Sequence, residues 1–170
     1  MRWMWIDRIT HLEPGRRLVA VKNVSMAEEH LHDHFPARDG SPAFPVMPAS
    51  LILEGVAQTA GILVGHARVF REKVILAKIG KAELARDAAP GDTLRYSATI
   101  LHLDTQGAST STTIEIASPT APGVFETIGA ADIVFSHADH NTAGTTLPAF
   151  NFVFSDSFKT ILRTSGFGDE

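Results

Sequence analysis

The sequence contains no cysteine, and this absence excludes several kinds of site. Without a thiol, the chain has no disulfide, no thiolate metal ligand and no cysteine nucleophile. It also lacks an excess of positive charge, since the net charge is −4 and both signs are spread along the sequence. This pattern argues against nucleic acid and membranes as partners. The absence of cysteine suits a protein of the reducing cytoplasm, and we expect a cytoplasmic location.

Long hydrophobic runs are missing as well. The first residues, Met1–Arg8, hold too short an apolar run for a signal peptide before their charges begin. The apolar run Leu51–Val64 is too short to span a bilayer comfortably, and it contains Glu54 and Gln58. We therefore expect neither a leader nor a transmembrane helix. A chain of 170 residues that is 44% hydrophobic fits one domain with a substantial core.

The run Leu51–Val64 is apolar all round a helical wheel, which is typical of a helix inside a core. We predict a helix from Ala49 or Ser50 to about His66. Pro48 and Ser50 are the candidates for its first-turn and capping positions.

Glu54 is the only ionisable residue of this run, and Gln58 lies one turn later on the same face. An isolated carboxyl group in such a helix has two interpretations. It is either an acid–base group of an active site or a structural carboxylate satisfied by Gln58 and backbone amides.

β-rich segments surround this helix on both sides in the sequence. They cover residues 18–24, 74–79, 81–85, 93–103, 109–117 and 124–135. One long buried helix with about five or six strands predicts an α+β fold in which an antiparallel sheet curls round the helix. We assign this domain to residues 1–136. Residues 137–170 are polar and turn-rich with interspersed phenylalanines, and we predict a C-terminal extension that packs as an appendage or is partly mobile.

Histidines cluster upstream of the predicted helix, at His30, His32 and His34 beside Asp33. On a strand, alternating histidines would share one face and resemble a metal site, to which residues 137–140 can add ligands. No second ligand cluster is evident, so we favour loop histidines and no metal. Ser50 has no G-x-S-x-G surroundings, which favours a helix cap over a nucleophile.

An ordered set of motifs resembles a known family. It comprises Asp7-Arg8, Glu13-Pro14-Gly15, Val21–Val24, His34-Phe35-Pro36, Pro48-Ala49, Leu51–Glu54, Ala57-Gln58 and Pro90-Gly91-Asp92. The same order is found in the β-hydroxyacyl-acyl-carrier-protein dehydratases, the hotdog-fold enzymes of type II fatty acid synthesis. The chain is most similar to their FabZ-like branch, over roughly residues 5–136.

The resemblance implies a hotdog fold and the dehydration of 3-hydroxyacyl thioesters to trans-2-enoyl thioesters. His34 matches the histidine that removes or relays the α-proton, and Glu54 matches the acid that protonates the departing hydroxyl group. Gln58 matches a residue that orients this acid. Ala49 occupies a glycine position whose N–H holds the thioester oxygen, and Ser50 follows it in the same oxyanion-binding turn. No cofactor and no metal are implied.

The resemblance also implies partners. These are an acyl carrier protein that carries the substrate, and further copies of the chain in a homodimer or a trimer of dimers. We expect His34 of one copy to meet Glu54 of the other, since pairing of sheet edges would cover both copies. A basic rim for the acidic carrier protein is one interpretation of the scattered cations, and ordinary surface charge is the other. The residues are Arg38, Arg71, Lys73, Lys78, Lys81 and Arg86.

Two departures from the family pattern bear on the substrate. Glu54 follows His34 by 20 residues, a longer separation than is typical of these enzymes, and the extra residues fall within Ala37–Phe44. Alanine replaces glycine at Ala49, which costs little if φ is negative there. The alternatives to a dehydratase are a hotdog acyl thioesterase and a catalytically silent acyl-binding subunit.

Overall fold

A computed structural model describes residues 3–138, 148, 150–154 and 156–168, with the side chains of Asp33 and Ser157 left out. Six strands form one antiparallel sheet in the order β1-β2-β4-β5-β6-β3. They are β1 Arg8–Glu13, β2 Arg17–Asn23, β3 Val74–Leu84, β4 Thr93–Leu103, β5 Gly107–Ala117 and β6 Glu126–His137. The helices of the described residues are α1 Glu29–Asp33, α2 Ala49–Ala67 and α3 Asp156–Thr164.

Helix α2 forms the centre of the core, as its apolar sequence predicts. It contacts β2, β3, β4, β5 and β6, and from Gly55 to Gly65 nearly all its residues are buried. Glycine lets the sheet approach closely, because a Cβ atom at Gly55 would lie 2.7 Å from the hydroxyl oxygen of Tyr96. The predicted α+β arrangement, with a sheet curled round one long helix, is confirmed.

Strand β4 has the alternation that was used to predict it, with Leu94, Tyr96 and Ala98 buried on the helix side. The runs 74–79 and 81–85 instead form one strand, β3, whose pairing with β6 shifts register at two places. Strand β3 lies at an edge of the sheet and exposes large apolar side chains. The exposed fractions are 37% at Ile75, 41% at Leu76 and 41% at Ile79.

Two short elements were not predicted. In β1, Ile9 is the buried residue and the other five are exposed or half-buried, so the sequence has no clear alternation. Helix α1 has five residues, too few for a helical period to emerge.

The prediction that Ser50 caps α2 is wrong. The N-cap is Pro48, with φ −54° and ψ 137°, and it makes no side-chain cap bond. Its carbonyl oxygen accepts from the N–H groups of Leu51 at 2.9 Å and Ile52 at 3.2 Å. Ser50 is therefore already the second helical residue, whereas a capping side chain must come from the extended residue before the helix.

A strained turn follows α2. Val69 and Phe70 both have φ 53°, the left-handed region that bulky residues avoid. The N–H of Phe70 donates to the carbonyl oxygen of Gly65 at 2.8 Å, and its ring makes an edge contact with Phe154, with ring centroids 4.9 Å apart. Packing by the C-terminal residues therefore holds this turn.

Helix α3 packs against β1, where the backbone N–H of Ile9 donates to the Ser165 hydroxyl oxygen at 3.0 Å. Ile161 and Leu162 of this helix are buried with the main core. None of the described helices has both the length and the apolar character needed to cross a membrane.

Candidate active site

Gln58 is a buried side chain whose orientation is fixed by the N-terminal segment. The backbone N–H of Trp5 donates to Oε1 of Gln58 at 2.8 Å. The amide nitrogen must then point the other way, where it donates to the carbonyl oxygen of Trp3 at 3.1 Å and to Oε1 of Glu54 at 3.0 Å. Because an N–H group can only donate, the contact with Trp5 settles which end of the amide faces Glu54.

Glu54 receives a second donor on the same oxygen atom. The indole N–H of Trp3 donates to Oε1 of Glu54 at 3.3 Å. Since Oε1 accepts from two N–H groups, a proton on this carboxyl group belongs on Oε2. The contribution of Trp3 was not predicted. Tryptophans at positions 3 and 5 were the available signal, and their rings do meet edge to face at 5.4 Å.

A cavity of about 420 Å³ opens beside Glu54. Glu54 and Gln58 are the hydrogen-bonding side chains of its wall, apart from the indole of Trp3. The other lining residues are Met4, Ala57, Gly61, Ile62, Val74, Leu76, Phe135, Phe152, Val153, Phe154 and Phe158. A carboxyl group in the wall of an otherwise apolar cavity of this size suits a ligand with a polar reacting group and a hydrocarbon tail.

His34 follows α1 and is fixed by a backbone carbonyl group. Its Nδ1 atom lies 2.5 Å from the carbonyl oxygen of Val46. A carbonyl oxygen only accepts, so Nδ1 carries the hydrogen atom and a neutral imidazole has its free lone pair on Nε2. The next residue, Phe35, has φ 53°, and its ring lies 4.2 Å from the imidazole, centroid to centroid. This arrangement leaves Nε2 available as a base.

The structure of one chain does not bring His34 and Glu54 together. In the part of the chain that the structure describes, no hydrogen bond joins His34 to Glu54 or Gln58, and His34 is not among the residues that line the cavity. The catalytic roles of these residues therefore stay predictions, as does the orienting role of Gln58.

The first turn of α2 presents free backbone donors. Ala49 is the first helical residue and does not have positive φ, so alanine costs little at this position and its N–H is preserved. Both Ala49 and Ser50 are exposed, and the described residues offer their N–H groups no acceptor. These donors suit the oxyanion-binding role that was predicted for Ala49 and Ser50.

The histidine cluster does not form the face that a metal site would need. His30 and His32 lie in helix α1, not in a strand, and residues two apart on a helix point in different directions. His32 contacts the carbonyl oxygen of Met26 at 3.1 Å, while burial lowers the pKa of His30. Among the described residues, no group of three His, Asp or Glu side chains could hold a metal ion. The side chain of Asp33, and Asp139 and His140, lie outside the described residues.

The inserted segment Ala37–Phe44 forms a small exposed hairpin. Arg38 and Ser41 exchange backbone hydrogen bonds at 3.1 and 2.8 Å, and Gly40 between them has φ 82°. The N–H of Phe44 donates to the carbonyl oxygen of Phe35 at 2.9 Å, so the hairpin closes next to His34. No residue of the hairpin lines the cavity beside Glu54.

The predicted basic rim is reduced to three cations. Lys73 is buried and does not belong to a surface, which corrects that part of the prediction. Lys81 pairs with Glu83, and Arg86 pairs with Asp92 and Glu126. Of the six predicted rim residues, Arg38, Arg71 and Lys78 are exposed cations without an ion pair to a described residue.

Sequence comparison bears on the chemistry of this site. A family model described as the FabA-like domain matches residues 2–121, well over half of the chain. The chain belongs to the FabA-like family. This FabA-like chain is similar to the 3-hydroxyacyl-[acyl-carrier-protein] dehydratase FabZ of Clostridium kluyveri, with 35% identity over 102 residues that cover 59% of the chain and 67% of the relative.

A second FabZ relative, from Symbiobacterium thermophilum, is 44% identical over 94 residues, which cover 55% of the FabA-like chain and 62% of the relative. These matches confirm the predicted membership of the FabZ-like dehydratase group.

Solved structures of other proteins have a fold similar to that of the FabA-like chain. A thioesterase family protein from Silicibacter pomeroyi superposes with a TM-score of 0.58 at 14% identity, covering 76% of this chain and 82% of that one. The protein smu.793 from Streptococcus mutans, bound to acetyl CoA, gives a TM-score of 0.57 at 11% identity, covering 76% and 86%. At such identities the likeness shows the fold alone, and the predicted hotdog fold is confirmed.

Proposed function

We propose that this chain is a hydro-lyase that dehydrates 3-hydroxyacyl thioesters on acyl carrier protein to trans-2-enoyl thioesters, as in fatty acid synthesis. The observation that carries the proposal is the Glu54 carboxyl group, which two N–H donors hold on one oxygen atom in the wall of an apolar cavity. The FabZ relatives support the same reaction by their names.

The two proton transfers of a dehydration are assigned to these two side chains. Nε2 of His34 takes the α-proton, and the electron pair of that C–H bond forms the new double bond. The β-carbon to oxygen bond breaks as Oε2 of Glu54 gives its proton to the hydroxyl group, which leaves as water. The thioester oxygen gains negative charge during this step, and the N–H groups of Ala49 and Ser50 are suited to stabilise it.

In a site shared between two copies, His34 of one copy would come close to Glu54 of the other. Strand β3 is an edge strand of eleven residues whose side chains are almost all exposed, including Ile75, Leu76 and Ile79. A long apolar edge in this condition favours pairing with a second sheet. A twofold dimer through β3 would cover this edge, and we assign one histidine and one acid from different copies to each site.

The assignment of the two catalytic residues is tested with His34→Ala and Glu54→Gln. Each substitution is expected to lower kcat by about 100- to 10,000-fold, the usual contribution of an acid–base group. His32→Ala is the matched control, because this exposed histidine contacts the backbone of Met26 and does not line the cavity. The assay follows 3-hydroxybutyryl acyl carrier protein by mass, which separates loss of water from hydrolysis of the thioester. Near-normal dehydration by either variant would refute its role, and hydrolysis by the unaltered protein would identify a thioesterase.

The shared site is tested by mixing the two inactive variants. After joint refolding, a mixed dimer would hold one intact site and one doubly altered site, so about a quarter of the normal activity is expected from a statistical mixture. Verified mixed dimers without any activity would show that both residues act within one chain.

An acidic carrier protein would meet the predicted rim cations that pair with no described residue, Arg38, Arg71 and Lys78. Charge reversal at Arg38, in the hairpin next to His34, is expected to raise KM for the carrier-protein substrate at low salt and to leave KM for a pantetheine thioester unchanged. The difference should shrink as salt shortens the Debye length to about 10 Å at 0.1 M. If charge reversal at Arg38 left KM for the carrier-protein substrate unchanged at low salt, docking through this residue would be contradicted.

A further inference from the structure

The described residues near the C-terminus reach the cavity of the candidate active site. Phe152, Val153, Phe154 and Phe158 all line it, although they lie outside residues 2–121 that match the family. This part of the wall therefore comes from residues beyond the matched region.

The contact of Phe154 with α2 is closely fitted. Phe154 is buried, and a Cβ atom at Gly65 would lie 2.7 Å from Cε2 of its ring. Only a glycine at this helix position leaves room for the ring. The ring also makes edge contacts with Phe70 and Phe158, with centroids 4.9 and 6.1 Å away. Aromatic contacts of this kind hold the ring in one position.

Asn151 anchors the same segment through hydrogen bonds between its side-chain amide and backbone groups. Its amide nitrogen donates to the carbonyl oxygens of Phe70 at 3.0 Å and Glu72 at 3.1 Å. Its amide oxygen accepts from the N–H groups of Val153 at 3.1 Å and Phe154 at 3.4 Å. The segment is thus tied to the turn between α2 and β3 as well as to the helix.

Glu54, Gln58, Gly61 and Gly65 lie on one face of α2, at helical steps of four, three and four residues. Along the helix axis, Glu54 and Gly65 are about 16 Å apart at 1.5 Å per residue. An acyl chain whose reacting carbons lie at Glu54 would extend along this face toward Gly65, where the ring of Phe154 stands.

We propose that Phe152, Val153, Phe154 and Phe158 form the end wall of the acyl site, with Phe154 as its centre, and that this wall limits the length of the acyl chain that the site admits. The inference rests on the proposed function for the placement of the thioester at Glu54. Phe154 is then a specificity-determining residue that lies beyond the residues matched by the family model.

Binding of unreactive substrate analogues tests this wall independently of catalysis. The probes are butyryl, octanoyl and hexadecanoyl pantetheine amides, and their Kd values are measured by calorimetry for the unaltered protein, Phe154→Ala and Phe152→Ala. Phe150→Ala is the matched control. It removes a ring from the same segment, but that ring is 69% exposed and does not line the cavity. Circular dichroism confirms folding, and Phe152 at 44% exposure provides a variant that does not empty the core.

For the unaltered protein, affinity should rise from butyryl to octanoyl, by up to about fourfold for each methylene group that becomes buried. It should not rise further for hexadecanoyl. The ratio of the octanoyl Kd to the hexadecanoyl Kd should rise at least tenfold in Phe154→Ala. It should rise in Phe152→Ala as well, and it should stay unchanged in Phe150→Ala.

Tighter binding of hexadecanoyl than of octanoyl by the unaltered protein would overturn the proposal, and so would an unchanged ratio in the folded variants. Turnover of 3-hydroxybutyryl acyl carrier protein is measured in parallel. Its absence would contradict the proposed dehydration, while the binding series would still decide whether Phe154 limits chain length.

Discussion

Replacing Gln58 with methionine separates the structural role of this residue from its effect on Glu54. Methionine has a similar length and no hydrogen-bonding amide, so three contacts are lost. The N–H of Trp5 is left without an acceptor in a buried position, at a cost of about 1–3 kcal/mol. Trp3 is exposed, so its carbonyl group can bind water instead and adds no comparable cost. We therefore expect the free energy of unfolding to fall by about 1–3 kcal/mol.

Glu54 loses one of its two donors in this variant and keeps the indole N–H of Trp3. A typical hydrogen bond contributes about 0.5–1.5 kcal/mol, so kcat should fall by roughly 2- to 10-fold. This loss is much smaller than the loss expected for Glu54→Gln, because the predicted role of Gln58 is to orient Glu54 and not to transfer a proton. KM should stay close to its normal value.

The measurements are chemical unfolding and kcat per folded molecule at a temperature where the variant is fully folded. Thr59→Val is the matched control, since it removes another buried hydrogen bond of α2, from Oγ1 to the carbonyl oxygen of Gly55 at 2.7 Å. We expect the control to leave kcat unchanged. An unchanged kcat in Gln58→Met, with lowered stability, would show that Gln58 is structural only. Unchanged stability would refute the inferred cost of the unpaired N–H of Trp5.

Two further predictions concern the fold. Gly55→Ala should lower the free energy of unfolding by about 1–3 kcal/mol, because the new Cβ atom would overlap the ring of Tyr96, which is fully buried. Gly61→Ala, whose Cβ atom would make an ordinary 3.6 Å contact, should be neutral or stabilising in the same denaturation assay. The hydrogen bond from Arg95 lowers the pKa of Glu115, so this pair stabilises the fold above the ordinary carboxyl pKa and loses its effect as the pH falls through the lowered value. Arg95→Gln should therefore be less stable than the unaltered protein at pH 7, and the difference should be smaller at pH 2, where only the stacking of Arg95 on Phe125 is still missed. An equal difference in melting temperature at both pH values would refute this linkage.

The main elements of the fold could be predicted because their signals are local. Helix α2 is apolar on every side, and β4 alternates at nearly every position, so each reveals its surroundings through its own sequence. Strand β1 has no such pattern because most of its side chains face solvent or only partly buried surroundings. The sequence left the cap of α2 open between Pro48 and Ser50, because both suit a first turn, and the backbone angles identify Pro48.

The candidate site was predictable where it depends on motifs, and not where it depends on contacts between distant residues. His34, Glu54 and Gln58 are in recognisable surroundings, and one of the predicted contacts, from Gln58 to Glu54, is present. The donor from Trp3 and the acceptor at Val46 join residues that are 51 and 12 positions away in the sequence. The rings of Phe152, Phe154 and Phe158 line the same cavity as Glu54 but are about a hundred residues from it along the chain. No local sequence pattern predicts that residues so far apart in the chain lie close together.

The strained turn after α2 connects folding stability to the proposed role of Phe154. Val69 and Phe70 each hold a conformation that costs about 1–3 kcal/mol for a side chain with a Cβ atom, and the contact between Phe70 and Phe154 helps to offset it. A mutation that shortens Phe154, the proposed end of the acyl site, also withdraws this support. Such a mutation therefore needs a compensating change, of which glycine at Val69 is the simplest. Under the proposed role of Phe154, chain-length preference and folding stability depend on the same aromatic contact.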